Sequence, residues 1–327
     1  MNKILLTGAN GYLGARLVEE LSKNNYSITA LCYPNKPNNK QWEHKLDKII
    51  VGDIRDEACI EELTNERFDV VIHLVSLDQH QSNQAPNRVA EVNVMPVWNL
   101  LEKFSTKNNL NKFIYFSTFQ VYGKAPLEII TEDFIPFPQS NYGLTHLLSE
   151  NICNYFNLKS DVNCINVRLS NSYGSPVFQD NNCWGLVIND LCKTVFLEKN
   201  IKLLSDGSPQ RDFIHSSDVC NAIEVLVKTQ VKNLQNNSYH ISSGKTLTIL
   251  EIAHYVKSVY EKRYNYDVNV ILPGGEISVK NDTSSLVNEK YTVSISKLKE
   301  LGFVPKTDLN KGINEIFDYL EMLHGTK

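Results

Sequence analysis

Three absences narrow the field. The chain has no apolar run approaching the roughly 20 residues needed to cross a bilayer, no block of basic residues, and no cysteine or histidine cluster at metal-ligand spacing. The first argues against a membrane-spanning segment. The second, with 33 Lys and Arg against 37 Asp and Glu, removes the electrostatic footprint of a nucleic-acid partner. The third leaves no expected metal. The seven cysteines, Cys32, Cys59, Cys153, Cys164, Cys183, Cys192 and Cys220, are scattered and odd in number. They read as small buried hydrophobes in a reducing cytoplasm. The first residues enter a strand directly, without the charged, apolar and small-residue order of a secretion signal, which also points to the cytoplasm. Repeats and long low-complexity tracts are missing too. At 327 residues the chain can bury a substantial core, as one large α/β unit or as two lobes.

What is present begins with a glycine turn. The apolar run Ile4-Leu5-Leu6 leads into Thr7-Gly8-Ala9-Asn10-Gly11-Tyr12-Leu13-Gly14, and the periodic residues Leu17, Val18 and Leu21 continue it as a helix. Glycine permits positive φ and the close backbone approach that a diphosphate requires, and a helix N-terminus offers unpaired N–H groups to the anion. A glycine triplet alone is weak evidence; one that opens a βαβ unit is strong. The expected ligand is a dinucleotide, held around Gly8, Asn10, Gly11, Tyr12, Leu13 and Gly14.

Strand-like runs at 3–7, 27–32, 48–51, 70–74, 112–117 and 162–169 alternate with helical periodicity at 13–23, 57–65, 90–105 and 142–156. This alternation predicts an α/β fold with a doubly wound parallel sheet, its ligand beyond the carboxyl ends of the strands. From Ser172 the rhythm breaks into a loop, a helix at 186–198, a strand at 201–204 and another loop at 206–211. Residues 239–242 are expected to return to the main sheet. A strand at 268–272 and helices near 250–262, 295–301 and 309–322 are expected in a C-terminal lobe.

The GxxGxxG spacing resembles the short-chain dehydrogenase/reductase superfamily, in particular its extended branch, the NAD-dependent epimerase/dehydratase family of nucleotide-sugar-modifying enzymes. Further landmarks come in the same order: Gly52-Asp53-Ile54-Arg55-Asp56, His73-Leu74-Val75-Ser76, Ser117-Thr118-Phe119-Gln120-Val121-Tyr122-Gly123, Tyr142-Gly143-Leu144-Thr145-His146, Arg168-Leu169-Ser170-Asn171-Ser172-Tyr173-Gly174 and Arg211-Asp212-Phe213-Ile214-His215. The resemblance implies a Rossmann domain over 1–171, completed by parts of 212–245, and a nucleotide-sugar lobe mainly over 172–327. It also implies a homodimer packed through the helix that carries Tyr142.

The same resemblance implies the residue roles. Asp53 and Ile54 hold the adenine, and Leu74, Val75 and Ser76 pass beside the cofactor. His73 reads as a packed structural residue. Asn93 supports the catalytic tyrosine or simply packs in its helix. Thr118 and Tyr142 occupy the catalytic Ser/Thr and Tyr positions, with the phenol passing a proton to or from a sugar hydroxyl as hydride moves. The family's lysine, four residues after the tyrosine, is here His146, which can supply a hydrogen bond to the nicotinamide ribose but is mostly neutral at pH 7. Asn171 contacts the substrate and Arg211 grips its diphosphate. Asp212 orients Arg211 or caps the next segment. Phe119 and Gln120 stand where family dehydratases carry Asp-Glu, which argues against dehydration.

At the end of the second strand, where NAD-specific members place an acid, stands Cys32, and no carboxylate occurs until Glu43. Lys36 is either a partner for a 2′-phosphate or a solvated loop residue. NADP(H) is therefore favoured slightly over NAD(H). The expected activity is reduction of a nucleotide-linked 4-keto-sugar in surface-polysaccharide or deoxysugar biosynthesis. The alternatives are a nucleotide-sugar 4-epimerase with tightly bound NAD, and a catalytically weakened dinucleotide-binding protein.

Overall fold

The computed structural model describes residues 2–124, 128–234, 237–278 and 290–325. Its centre is a seven-stranded parallel sheet: β1 Asn2–Thr7, β2 Tyr26–Cys32, β3 Lys48–Val51, β4 Phe68–His73, β5 Leu110–Thr118, β6 Asn163–Leu169 and β7 Ser238–Ile241. In space the order is β7-β6-β5-β4-β1-β2-β3. The winding reverses between β1 and β4, where Thr7 lies beside His73, and in a doubly wound sheet the ligand crevice belongs there, beyond the carboxyl ends.

Strand residues alternate between two largely buried faces, so apolar side chains dominate both. Ile4, Leu6, Ile28, Ala30, Val70 and Ile72 pack against helices Tyr12–Leu21 and Ser216–Lys228. Leu5, Leu31, Val71, Phe113 and Tyr115 pack against helices Glu57–Thr64, Met95–Lys107 and Asn141–Lys159 on the other side. The expected return of residues 239–242 is seen: β7 pairs in parallel with β6 along Ser238–Ile241. All seven thiols are unpaired and buried.

A separate core lies among helices Val187–Glu198, Ile249–Tyr264 and Leu309–His324. It meets the main sheet through strand Gln210–His215, which pairs in parallel with Asn171–Tyr173 and antiparallel with Thr246–Thr248. A short parallel pair, Ile129–Ile130 with Thr292–Val293, also links chain segments far apart in sequence. The helix expected over 90–105 is not uniform. It starts as a π-turn, Ala90–Val94, and becomes α-helical at Met95. Pro96 has no N–H to continue the α ladder, and the wider turn carries Asn93 inward. Among the described residues no helix is long and apolar enough to cross a membrane.

Candidate active site

The glycine turn is set by backbone contact. Gly8 has φ +71°, and its carbonyl accepts the Gly11 N–H at 3.0 Å. Helix Tyr12–Leu21 comes next, with Gly11 as its uncapped first flank, so the first-turn N–H groups have no side-chain acceptor. A Cβ on Gly14 would lie 2.1 Å from the Gly8 carbonyl oxygen and 2.9 Å from the Ala9 Cα. Nothing larger than glycine lets the helix sit this close. Orphan N–H groups above a turn free of side chains make a cradle that fits a diphosphate.

Beyond their backbones, the other residues of the turn are engaged elsewhere. Asn10 donates to the carbonyls of Tyr33 and Asn35 at 3.0 and 3.1 Å, bracing the loop after β2. The Tyr12 hydroxyl donates to the Gly174 carbonyl, and Leu13 packs on the main core.

At the end of β2, where the adenosine is expected, Cys32 is buried and Lys36 pairs with Glu43 at 2.9 Å. A lysine already matched by a carboxylate lends no support to the expected NADP preference. Hydrogen bonds from Arg55 hold the Asp53 carboxyl down to about 2, with Nε of Arg55 3.0 Å from Oδ1. The Ile54 side chain is buried near Leu31 and Cys59.

The candidate catalytic corner forms where β5 ends and helix Asn141–Lys159 begins. Thr118 closes β5, and its hydroxyl accepts the Gln120 N–H at 3.2 Å. Ser140 caps the helix by accepting the Gly143 N–H at 3.1 Å. Gly143 presses on the turn after β5, since a Cβ there would be 2.6 Å from the Gln120 carbonyl oxygen. That close approach sets Tyr142 beside Thr118 and Ser76, whose hydroxyls act on its phenol. Burial pushes the phenol up to about 12; the two hydroxyls oppose the rise, and the Asp78 carboxylate adds to it.

His146 stands behind Tyr142, with ring centroids 4.5 Å apart in an edge-on contact. Its Nδ1 shares a 2.8 Å hydrogen bond with the Tyr115 hydroxyl. Burial drives the imidazole down to about 3, against the pull of the Phe116 carbonyl, so it is neutral at pH 7. It cannot act as the lysine's charge does. Its other nitrogen is buried without a well-formed partner, so the expected bond to a nicotinamide ribose is not presented to the crevice.

His73, as expected, is structural: its Nδ1 shares a 2.8 Å bond with the Thr7 hydroxyl. Asn93 accepts the Leu77 N–H at 2.8 Å and donates to Thr145 at 3.2 Å. It therefore ties the loop after β4 to the helix of Tyr142 by direct bonds. Leu74 and Val75 pack on opposite clusters, and Val75 closes on Gly8. Phe119 stacks parallel to Tyr291 at 5.8 Å, and Gln120 donates to Gln79 at 3.1 Å. Neither can move a proton.

On the far wall, Asn171 donates to the Asp212 carbonyl at 3.0 Å. Arg211, on the same strand as Asp212, is exposed. Its guanidinium donates to the Gln210 carbonyl at 2.7 Å, and it forms no ion pair among the described residues. Asp212 does not orient it. The buried Asp212 carboxylate accepts instead from Ser170, from the Ser243 N–H and hydroxyl, and from the Lys245 N–H. Neighbours on a strand face opposite ways, which separates the two side chains.

Residues 4–242 match the model of the NAD dependent epimerase/dehydratase family. The chain belongs to that family. This bears out the resemblance and the expectation of an enzyme that works with a nicotinamide dinucleotide. A putative UDP-glucose 4-epimerase of Methanocaldococcus jannaschii is 26% identical over 325 residues, 97% of this chain and 98% of that protein. The UDP-glucose 4-epimerase of Mycoplasma genitalium is 26% identical over 81% of this chain and 84% of its own length. The same fold is found in the UDP-glucose 4-epimerase of Thermotoga maritima solved with UDP-glucose, at TM-score 0.82 and 24% identity, covering 98% of this chain and 99% of that one. It is found again in the UDP-glucuronic acid 4-epimerase of Bacillus cereus solved with NAD, at TM-score 0.79, 24% identity and the same coverage.

Against this family background, Tyr115 and Asp78 join the corner although no motif in the sequence marks them, and Gly143 joins it from a motif that gave it no role. A glycine one residue after a candidate catalytic tyrosine, inside a helix it weakens, is the available signal for a close approach. Asp78 is readable from its place before Gln81 as a helix cap, but not from any chemical pattern.

Proposed function

We propose that this protein is a nucleotide-sugar 4-epimerase that works with retained NAD. The observation that carries the reading is the Tyr142 phenol set between the Thr118 and Ser76 hydroxyls, in the crevice that also holds the glycine cradle. A bound nicotinamide dinucleotide supplies the acceptor and donor of hydride. Tyr142, having first lost its own proton to solvent, takes the proton of the C4 hydroxyl as phenolate and returns it, while Thr118 holds that oxygen in line. Arg211, exposed and without an acidic partner among the described residues, grips the substrate diphosphate, and Asn171 lies beside it. The division into a dinucleotide lobe and a sugar lobe accords with these roles. NAD rather than NADP is supported by the engagement of Lys36 with Glu43 and by likeness to a protein solved with NAD.

A specific observation favours a second reading, reduction of a 4-keto nucleotide sugar. The phenol is held protonated near pH 7 and the imidazole behind it is uncharged. Such a group is a ready acid and a reluctant base. The two readings separate in one experiment: mass spectrometry of released dinucleotide, then UDP-glucose and UDP-galactose supplied without added cofactor. Interconversion with retained NAD supports the epimerase. Its absence, with NADH or NADPH consumed on 4-keto sugars, supports the reductase. Inactivity in both assays leaves a dinucleotide-binding protein.

The active form is a homodimer in this reading. Leu144, Leu148, Tyr155 and Leu158 are exposed along the catalytic helix. Trp98, from the neighbouring helix, stacks on Tyr155 at 5.6 Å. A second copy would cover this apolar face, and a monomeric mass by light scattering would refute it.

A further inference from the structure

A loop from the C-terminal side of the molecule crosses the crevice and is fixed on the dinucleotide lobe at separate points. It leaves strand Asn171–Tyr173 and returns to helix Val187–Glu198. Phe178 is buried against the edge of Trp42, with centroids 5.3 Å apart. Asn181 donates to the Asn10 carbonyl, in the glycine turn, at 2.9 Å. Its own side-chain oxygen accepts the Phe178 N–H at 3.1 Å, which fixes its direction. Asn182 then donates to the Asp78 carboxylate at 3.3 Å, and that carboxylate is close enough to act on the Tyr142 phenol.

Val177 and Phe178 pack the loop against the main core. The two asparagines do something else: they fasten one point above the diphosphate cradle and another beside the catalytic phenol. A dinucleotide that reaches from the cradle to Tyr142 has to lie along the line between them. We infer that Asn181 and Asn182 form a clasp over the bound dinucleotide and set how fast it leaves. The inference rests on the reading of the crevice as a dinucleotide site, and it gives a physical basis for retention, which separates an epimerase from a reductase that exchanges its cofactor.

The test uses the full chain and NADH as probe, with release followed by fluorescence after mixing with excess NAD. Each clasp bond is a single hydrogen bond, so Asn181→Ala and Asn182→Ala should each speed release roughly fivefold, and together more. Asn181 is buried, so Asn181→Ala could lose stability; the exposed position 182 provides charge variants that spare the core. Asn182→Asp, facing Asp78, should release NADH faster than native protein, the more so at low salt. Asn182→Lys should release it more slowly than Asn182→Ala. Folded Asn182 variants that all release NADH at the native rate would overturn the clasp alone. Native protein that binds no NADH would overturn the dinucleotide reading and the clasp with it.

Discussion

At the glycine turn the backbone fills the space: a Cβ on Gly14 would meet the Gly8 carbonyl oxygen at 2.1 Å, and the groups offered to a ligand are main-chain N–H. At the candidate catalytic corner the backbone only delivers, and the proposed chemistry depends on the hydroxyls of Tyr142, Thr118 and Ser76 and on what surrounds them. Substitution should therefore damage the two ends of one crevice differently. The turn should lose its fold and its ligand together. The corner should lose its chemistry with the fold intact.

The largest effect expected is at the corner. Tyr142→Phe removes the proton carrier but keeps the ring that packs on His146, so turnover should fall by about 10²–10⁴-fold. The melting temperature and NADH binding should stay near native values. A variant with native turnover would show that another group carries the proton.

The turn should behave in the opposite way. Gly14→Val forces the helix off the turn, and overpacking of this kind costs about 3 kcal/mol. Urea unfolding should show that loss and NADH titration a matching weakening. If the stability of Gly14→Val were native, the close approach of helix and turn would not be what the third glycine provides.

The same contrast explains what can be read from the sequence. Main-chain devices leave a local signature, so the turn, the parallel strands and even the return of residues 239–242 are legible. Side-chain surroundings assembled from distant segments leave none. That His146 finds Tyr115, 31 positions away, and stays uncharged under burial has no local signal. Asp212 departs from one of its two expected roles, orienting Arg211, for a related reason: its partners at Ser170, Ser243 and Lys245 come from other strands and turns. Thr118 and Tyr142 are found only because each stands in a motif; their approach depends on Gly143, whose significance is visible only against the Gln120 carbonyl.

A third test uses acid, since the titrating groups are buried rings and the turn offers only main-chain groups. His73 and His146 are each pushed down to about 3 by burial, and His240 likewise. The unfolded chain takes protons on these rings below about pH 6.5, whereas the fold refuses them until about 3. Their stabilising contribution is thus complete above pH 6.5 and lost as pH falls through that window, by up to about 1.4 kcal/mol per ring per pH unit. Urea midpoints should drop between pH 7.5 and 5.5, and His146→Gln should drop less steeply. An equal slope in that variant would mean that His146 takes up its proton in the fold as readily as in the unfolded chain.

The smallest and most discriminating change is His146→Lys. It places an ammonium behind the Tyr142 ring, where a neutral imidazole now stands, and a nearby positive charge favours the phenolate. Oxidation of a sugar hydroxyl needs that phenolate. In native protein its rate should rise with pH through the neutral and mildly alkaline range, because the phenol sits at about 12. The lysine variant should show the same rise about one pH unit lower, roughly a tenfold gain in oxidation near pH 7. Reduction of a 4-keto sugar uses the protonated phenol and should change little. Burying an ammonium costs stability, so the melting temperature should fall even as oxidation improves, which separates the electrostatic effect from any tightening of the fold. If neither pH profile moves, Tyr142 is not the group that titrates in the reaction, and the contrast between an over-determined turn and an adjustable corner loses its chemical half.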